Sequence, residues 1–169
     1  MNKFIFIAVL LGLFTLELLT PIQNTVIQPF TANLASITAS LLSFFDKDVI
    51  SSGIILGSIS KGIAVAIQAG CNGVEAIICL TAAILAYQAK WKEKLIGLVV
   101  GFFAIQSLNI VRIISLFYLL QWNKAWFEWA HLYIWQALIF LDVLIVFVLW
   151  IRWLSKSKQE TPSIGMAHG

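Results

Sequence analysis

Charged residues are scarce in this chain. Of its 169 residues, 11% are Asp, Glu, Lys or Arg, whereas 60% are apolar. A soluble domain keeps about a quarter of its residues charged, because its surface must be solvated. The composition therefore excludes a water-exposed globule, and a net charge of +3 gives no reason to expect a nucleic-acid partner. The partner that the composition indicates is membrane lipid.

Cysteine and histidine are also rare, with two of each. Cys71 and Cys79 do not form a C-x-x-C pair, which excludes the common redox and zinc motifs. Eight residues of helix rise about 12 Å, which is too far for a disulfide between the two thiols. The histidines are His131 and His168, and the sequence predicts neither a metal site nor an organic cofactor.

Long apolar runs take the place of the missing charge. A bilayer core of about 30 Å needs roughly 20 apolar residues per helix. Four runs approach or exceed that length: Phe4–Leu19, Cys71–Ala89, Leu95–Leu120 and Leu132–Ile151. They predict an all-α integral membrane bundle of about four transmembrane helices. Residues 1–154 form its single domain, and residues 155–169 a mobile cytoplasmic tail.

The basic residues predict the orientation of the bundle. With the N-terminus inside, seven cations fall on the cytoplasmic side: Lys3, Lys90, Lys92, Lys94, Arg152, Lys156 and Lys158. Three fall outside: Lys47, Lys61 and Lys124. Because cytoplasmic loops retain Lys and Arg, we expect both termini in the cytoplasm. The first run resembles a secretory signal peptide, but Glu17–Thr20 is a poor cleavage site, so an uncleaved anchor is favoured.

The first outer loop, Thr20–Gly70, is predicted to contain structure of its own. Apolar residues at helical spacing over Thr31–Phe45 indicate an interfacial helix on the outer face. Alternation from Ile59 to Ile67 indicates short extended segments or a short hairpin. Open strands are not tolerated in lipid, so the hairpin is expected outside the bilayer or covered by helices.

Three reactive side chains are predicted to lie at one depth. Arg112 follows Leu95 by 17 residues, a helical rise of about 26 Å, which places it near the outer end of the bilayer core. Cys71 and His131 open the second and fourth apolar runs from the outside. Ionisable residues are costly in a membrane and need a reason; Glu17, Glu75 and Asp142 are the other candidates.

The residue types of Cys71, Arg112 and His131 each allow a role in acyl transfer. A helix start and a nearby Arg112 would favour the thiolate of Cys71. His131 can take the thiol proton and return it to a leaving amine, while Arg112 can stabilise an oxyanion. Taken singly, each also has a structural reading: a buried thiol as a small core residue, an arginine reaching toward phosphates, an ordinary interfacial histidine. Cys79 is most simply a core residue.

The motifs around these residues resemble those of a known family. Gly70-Cys71-Asn72-Gly73 resembles the cysteine motif of the exosortase/archaeosortase family, and Asn109-Ile110-Val111-Arg112-Ile113 resembles its N-x-x-R-I motif. His131 matches the family's third position. The order of the motifs and their separation by one span also match. The resemblance covers about residues 50–149, and the chain length is similar to that of the short exosortase H type.

This resemblance implies a membrane cysteine protease or transpeptidase in the cytoplasmic membrane of a prokaryote, with its active site facing outward. Its substrates would be secreted proteins that end in a short motif, a transmembrane helix and a basic cluster. The implied catalytic residues are Cys71, Arg112 and His131.

The neighbouring motif residues would support that site. They are Gly70, Asn72, Gly73, Glu75 and Asn109. The two glycines would let the backbone approach a substrate, and Glu75 would tune the site or pair with Arg112. A reading from another class stays open: a non-catalytic helical subunit of an envelope transporter or assembly complex, in which Arg112, Glu75 and Asp142 serve packing or an ion path.

Overall fold

Residues 2–159 are described by a computed structural model, which is mostly helical with one small sheet. Its helices are α1 Lys3–Leu18, α2 Thr20–Ile22, α3 Gln28–Leu42, α4 Val74–Ala86, α5 Trp91–Trp122, α6 Lys124–Trp129 and α7 Trp135–Gln159. Two π-helical turns, Gln23–Ile27 and Ala130–Ile134, join α2 to α3 and α6 to α7. The strands are β1 Val49–Ser52, β2 Ile55–Ser58 and β3 Ile63–Ala66.

Two helical stretches in the described residues are long and apolar enough to cross a membrane. They are α5 and the continuous stretch Lys124–Lys156, which includes α6 and most of α7. The stretches Lys3–Leu18 and Thr20–Leu42 qualify only as a pair, and a bend of 72° separates them. Leu19 at the bend is extended (φ −69°, ψ 125°), and Pro21 follows at the start of α2. The prediction of a helical membrane protein is confirmed.

The second predicted span is shorter as a helix than as an apolar run. The run is Cys71–Ala89, but α4 has 13 residues, about 20 Å of rise. It begins only at Val74 because the preceding glycine-flanked turn has a different backbone conformation. The predicted tail also begins later than expected, since α7 continues to Gln159; residues 160–169 lie outside the described residues.

The connection Thr20–Gly70, which the sequence predicts as the first outer loop, contains the predicted helix and one strand more than a hairpin. The helix predicted over Thr31–Phe45 is present as α3, which buries Leu34 and Leu42 and leaves Ile37 and Leu41 exposed. The predicted hairpin is a three-stranded antiparallel sheet in the order β1-β2-β3. The sheet is covered by helices on one face, where its buried residues pack against α3 and Phe117 of α5.

Hydrogen bonds bring four chain segments together at one end of the bundle. The backbone N–H of Asn2, before α1, donates to the carbonyl of Ala86 at the end of α4 (2.9 Å). Lys94 Nζ donates to the carbonyl of Leu85 (2.7 Å), and Trp150 Nε1 donates to the carbonyl of Glu93 (3.1 Å). We name this the basic end, because it gathers the described cations that the sequence assigns to the cytoplasm: Lys3, Lys90, Lys92, Lys94, Arg152 and Lys156.

Glycine allows α5 to pack closely against its neighbours near the basic end. A Cβ at Gly97 would collide with the indole nitrogen of Trp150, and one at Gly101 would collide with Leu80 of α4. Trp150 and Leu80 belong to one buried cluster with Ile84. The spacing Gly97-x-x-x-Gly101, typical of membrane helix interfaces, is thus used for packing within the chain.

We expect Gly97→Ala to destabilise the bundle by about 1–3 kcal/mol, because overpacking displaces Trp150 and its hydrogen bond to Glu93. Gly12→Ala is the matched control, since a Cβ at Gly12 meets no atom within 4 Å and alanine favours a helix. Thermal unfolding in detergent measures both. A Gly97→Ala protein as stable as the Gly12→Ala protein would contradict this packing.

Candidate active site

Cys71 lies in a turn that precedes α4, outside the helix. The turn is closed by the N–H of Cys71, which donates to the carbonyl of Gln68 (2.9 Å). Gly70 and Gly73 flank it with φ of +81° and +76°, a left-handed conformation that side chains with a Cβ rarely adopt. The two glycines therefore allow the left-handed backbone conformations on either side of Cys71.

The residue after the cysteine anchors the turn to two helices. Asn72 is buried, and its Nδ2 donates to Thr31 Oγ1 of α3 (3.2 Å). Its Oδ1 accepts the N–H of Val74, the first residue of α4 (3.1 Å). Its carbonyl accepts from Gln106 Nε2 of α5 (3.2 Å). Thr31 and Gln106 were not predicted as site residues, because no motif spacing connects them with the cysteine.

Gly73 and Asn109 meet below this turn. A Cβ at Gly73 would lie 3.0 Å from Gln106 Nε2 and 3.2 Å from Asn109 Nδ2. Asn109 Nδ2 in turn donates to Gln106 Oε1 (3.5 Å). The expectation that Gly73 lets a substrate approach the backbone is therefore replaced: Gly73 lets α5 approach the turn, and Asn109 supports the turn from below.

Arg112 holds the residue before the cysteine. Its side chain is buried, with 2% of its surface exposed. Nη1 donates to the carbonyl of Gly70 (2.9 Å), and Nη2 lies 3.7 Å from Cys71 Sγ. Within residues 2–159, no hydrogen bond satisfies Arg112 Nε. The guanidinium thus fixes the turn and keeps its charge beside the sulfur.

Glu75 holds the same residue from the other direction. Its carboxylate accepts the N–H of Gly70, while Arg112 binds the carbonyl of Gly70. The ion pair considered between Glu75 and Arg112 is not among the salt bridges of the described residues. The two charges instead clamp the backbone of Gly70 between them.

His131 completes the surroundings of the sulfur. It lies in the π-helical turn Ala130–Ile134, with Nδ1 3.7 Å and Nε2 3.8 Å from Cys71 Sγ. Phe127, one turn earlier, stacks on the imidazole with the rings 2° from parallel and their centroids 5.7 Å apart. Either ring nitrogen can therefore face the thiol after a small rotation, and the stacked ring limits other movements.

All three side chains line one open cavity of about 420 Å³, which we name the cysteine cavity. Its walls come from three parts of the chain: residues 64–69 of β3 and the segment after it, residues 112–120 of α5, and α6 with the following π-helical turn. This volume falls in the range of small-ligand sites. The predicted convergence of Cys71, Arg112 and His131 is present in the structure.

The pKa of the Cys71 thiol shifts in the direction opposite to the one that a helix start and a nearby cation favour. Burial raises the pKa of the Cys71 thiol above its usual value, and Arg112 opposes this shift only in part. Glu75 adds to the rise, because its negative charge disfavours a thiolate nearby. The resting thiol is therefore protonated at neutral pH. The imidazole of His131 lies within reach of its proton.

The other ionisable candidates lie outside the cysteine cavity. Asp142 lines a separate, very small cavity with Arg112 and Asn109. Cys79 lines another cavity together with Glu75. Glu17 is buried in α1, and His168 lies outside the described residues.

Comparison with known proteins gives one match. The model of the transmembrane exosortase family matches residues 2–150. No curated protein and no solved structure matches the chain. The matched range contains Cys71, Arg112, His131 and most of the helices that position them. The chain belongs to the transmembrane exosortase family.

Proposed function

We propose that this protein is a cysteine transpeptidase or protease that processes the C-terminal sorting signals of secreted proteins. The observation that carries the proposal is the position of the Cys71 sulfur. It lies 3.7 Å from a guanidinium nitrogen of Arg112 and 3.7 Å from an imidazole nitrogen of His131, beside an open cavity. A thiol, a base and a fixed positive charge are the groups that acyl transfer requires.

The first half-reaction forms a thioester. His131 takes the thiol proton as Cys71 Sγ attacks the carbonyl carbon of the scissile peptide bond. The negative charge that develops on the carbonyl oxygen is stabilised by Arg112, which stays protonated throughout. The C–N bond then breaks, and His131 donates its proton to the leaving amine. The substrate's N-terminal part remains on Cys71 as a thioester.

The second half-reaction releases the product. An acceptor amine or a water molecule attacks the thioester carbon, and His131 takes the acceptor's proton. The C–S bond breaks, and the proton passes to the sulfur, which restores the thiol. With an amine of a lipid or an envelope glycan the product is anchored, and with water it is released.

The proposed topology has four spans, with the basic end in the cytoplasm. Cytoplasmic loops retain Lys and Arg, and the cations at the basic end lie on four chain segments that hydrogen bonds join. The cysteine cavity lies at the opposite end of α4 and α5. The site would then face outward, where the motif of a membrane-inserted substrate emerges while its basic cluster stays inside.

Replacing the proposed nucleophile should abolish processing. We expect Cys71→Ala to reduce release of the C-terminal segment from a tagged substrate to the uncatalysed background, whereas Cys79→Ala, the matched control, keeps activity within about twofold. Immunoblotting of membranes from cells that produce the substrate measures both. Normal release by Cys71→Ala cells would overturn the proposed mechanism and favour a non-catalytic role.

The charge of Arg112 should set the pH at which Cys71 reacts. Because the positive charge favours the thiolate, Arg112→Gln should move the midpoint of Cys71 alkylation to higher pH. Arg152→Gln is the control, since Arg152 is exposed near the basic end and should leave the profile unchanged. Rates of alkylation by a membrane-impermeant reagent in a Cys79→Ala background give the profiles. A midpoint that Arg112→Gln leaves in place, or lowers, would contradict the contact.

A further inference from the structure

The strand that borders the cysteine cavity, β3, is an edge strand of its sheet. The order β1-β2-β3 leaves β3 paired on one side only, with β2. Among the described residues, no strand pairs with its other edge. An open edge presents unpaired backbone N–H and C=O groups, and such a row binds another extended chain.

The pairing register identifies the backbone groups that point to the open edge. Ile67 N–H donates to the carbonyl of Ile54 (2.9 Å), and Val65 lies opposite Leu56. In an antiparallel ladder, every second residue bonds to the neighbouring strand, so Val65 and Ile67 face β2. The N–H and C=O groups of Ala64 and Ala66 therefore point away from β2, to the open edge.

The cysteine cavity lies beside this edge. It is lined by all six consecutive residues 64–69. Successive side chains of a strand point to opposite faces, so a cavity that touches Ala64, Val65 and Ala66 of β3 in succession lies next to the edge and not above one face. The opposite walls are formed by side chains one to two turns apart on two helices: Ile113, Leu116 and Leu120 of α5, and Lys124, Phe127 and His131 on α6 and the following turn.

Two sets of contacts between the sheet side and α5 mark the two ends of the cysteine cavity. At its outer end, Lys61 Nζ, in the turn before β3, donates to Gln121 Oε1 of α5 (2.8 Å) and to Asp46 (2.7 Å). At its inner end, Arg112 of α5 holds Gly70. Nine residues of α5 separate the two points, about 14 Å of rise, and a four-residue strand such as β3 spans about 13 Å. The open edge of β3 therefore runs along the cysteine cavity toward the thiol of Cys71.

We propose that the substrate peptide binds as an added strand on the open edge of β3, with its backbone paired to Ala64 and Ala66 and a following carbonyl placed at Cys71. This inference rests on the proposed function and names how that site holds its substrate. An extended peptide is the occupant, because only another peptide backbone offers donors and acceptors at the spacing of the strand.

Proline at the edge tests the pairing. Ala66→Pro removes the N–H that points into the cavity, and proline is tolerated on an edge strand where its nitrogen faces away from the ladder. Ala66→Ser is the matched control and keeps the N–H. The probes are N-acetyl-tetraalanine chloromethyl ketone, N-acetyl-alanine chloromethyl ketone and iodoacetamide, and alkylation of Cys71 is followed by mass spectrometry in a Cys79→Ala background.

The tetraalanine reagent should alkylate Cys71 faster than the single-alanine reagent. Ala66→Pro should slow the tetraalanine reagent about five- to tenfold, as the loss of one backbone hydrogen bond predicts, and leave iodoacetamide unchanged; Ala66→Ser should change neither. Equal rates for the long and short reagents, or a tetraalanine rate that Ala66→Pro does not alter, would overturn the added strand. Such a result would leave the nucleophile in place, since iodoacetamide reports Cys71 separately.

N-methylation of the peptide gives a second test on the chain with Ala66 intact, which decides the matter if Ala66→Pro disturbs the fold. In a paired strand only every second peptide N–H faces β3. N-methylation at successive positions should therefore slow alkylation at alternate positions and have little effect between them. A uniform effect, or none, would exclude pairing with β3.

Discussion

The geometry of the candidate site depends on the clamp that two opposite charges form on Gly70. Glu75 accepts its N–H and Arg112 donates to its carbonyl, so both backbone groups of one residue are held by charged partners, which make stronger hydrogen bonds than neutral ones. A buried guanidinium is costly to desolvate, and the carbonyl of Gly70 offsets part of that cost. The same contacts place the sulfur of Cys71 between Arg112 and His131.

Helix α5 connects the clamp with the rest of the molecule. At the basic end, its glycines receive Trp150 and Leu80. In its middle, Gln106 and Asn109 support the cysteine turn, and near its C-terminal end Gln121 anchors the sheet through Lys61. One helix thus determines the distances along its axis between the basic end, the thiol and the open strand edge.

The sequence predicted the membrane class, the apolar helices and the convergence of Cys71, Arg112 and His131, because hydropathy and helical rise determine the depth of each residue. It did not predict the parts that depend on tertiary contacts. Thr31 and Gln106 are ordinary polar residues in the sequence, and only folding brings them to Asn72. The raised pKa of Cys71 was also missed, because a motif reveals neighbouring charges but not the burial that outweighs them. The shortness of α4 follows from the left-handed Gly73 at its start.

The central claim is that the reaction passes through a thioester on Cys71. The most direct measurement adds hydroxylamine during turnover of a tagged substrate and determines the mass of the N-terminal product. Hydroxylamine attacks a thioester in competition with the natural acceptor, so the account predicts a product that ends in a hydroxamic acid, in an amount that rises with hydroxylamine concentration. A product that always ends in a free carboxylic acid, at an unchanged rate of cleavage, would contradict the thioester.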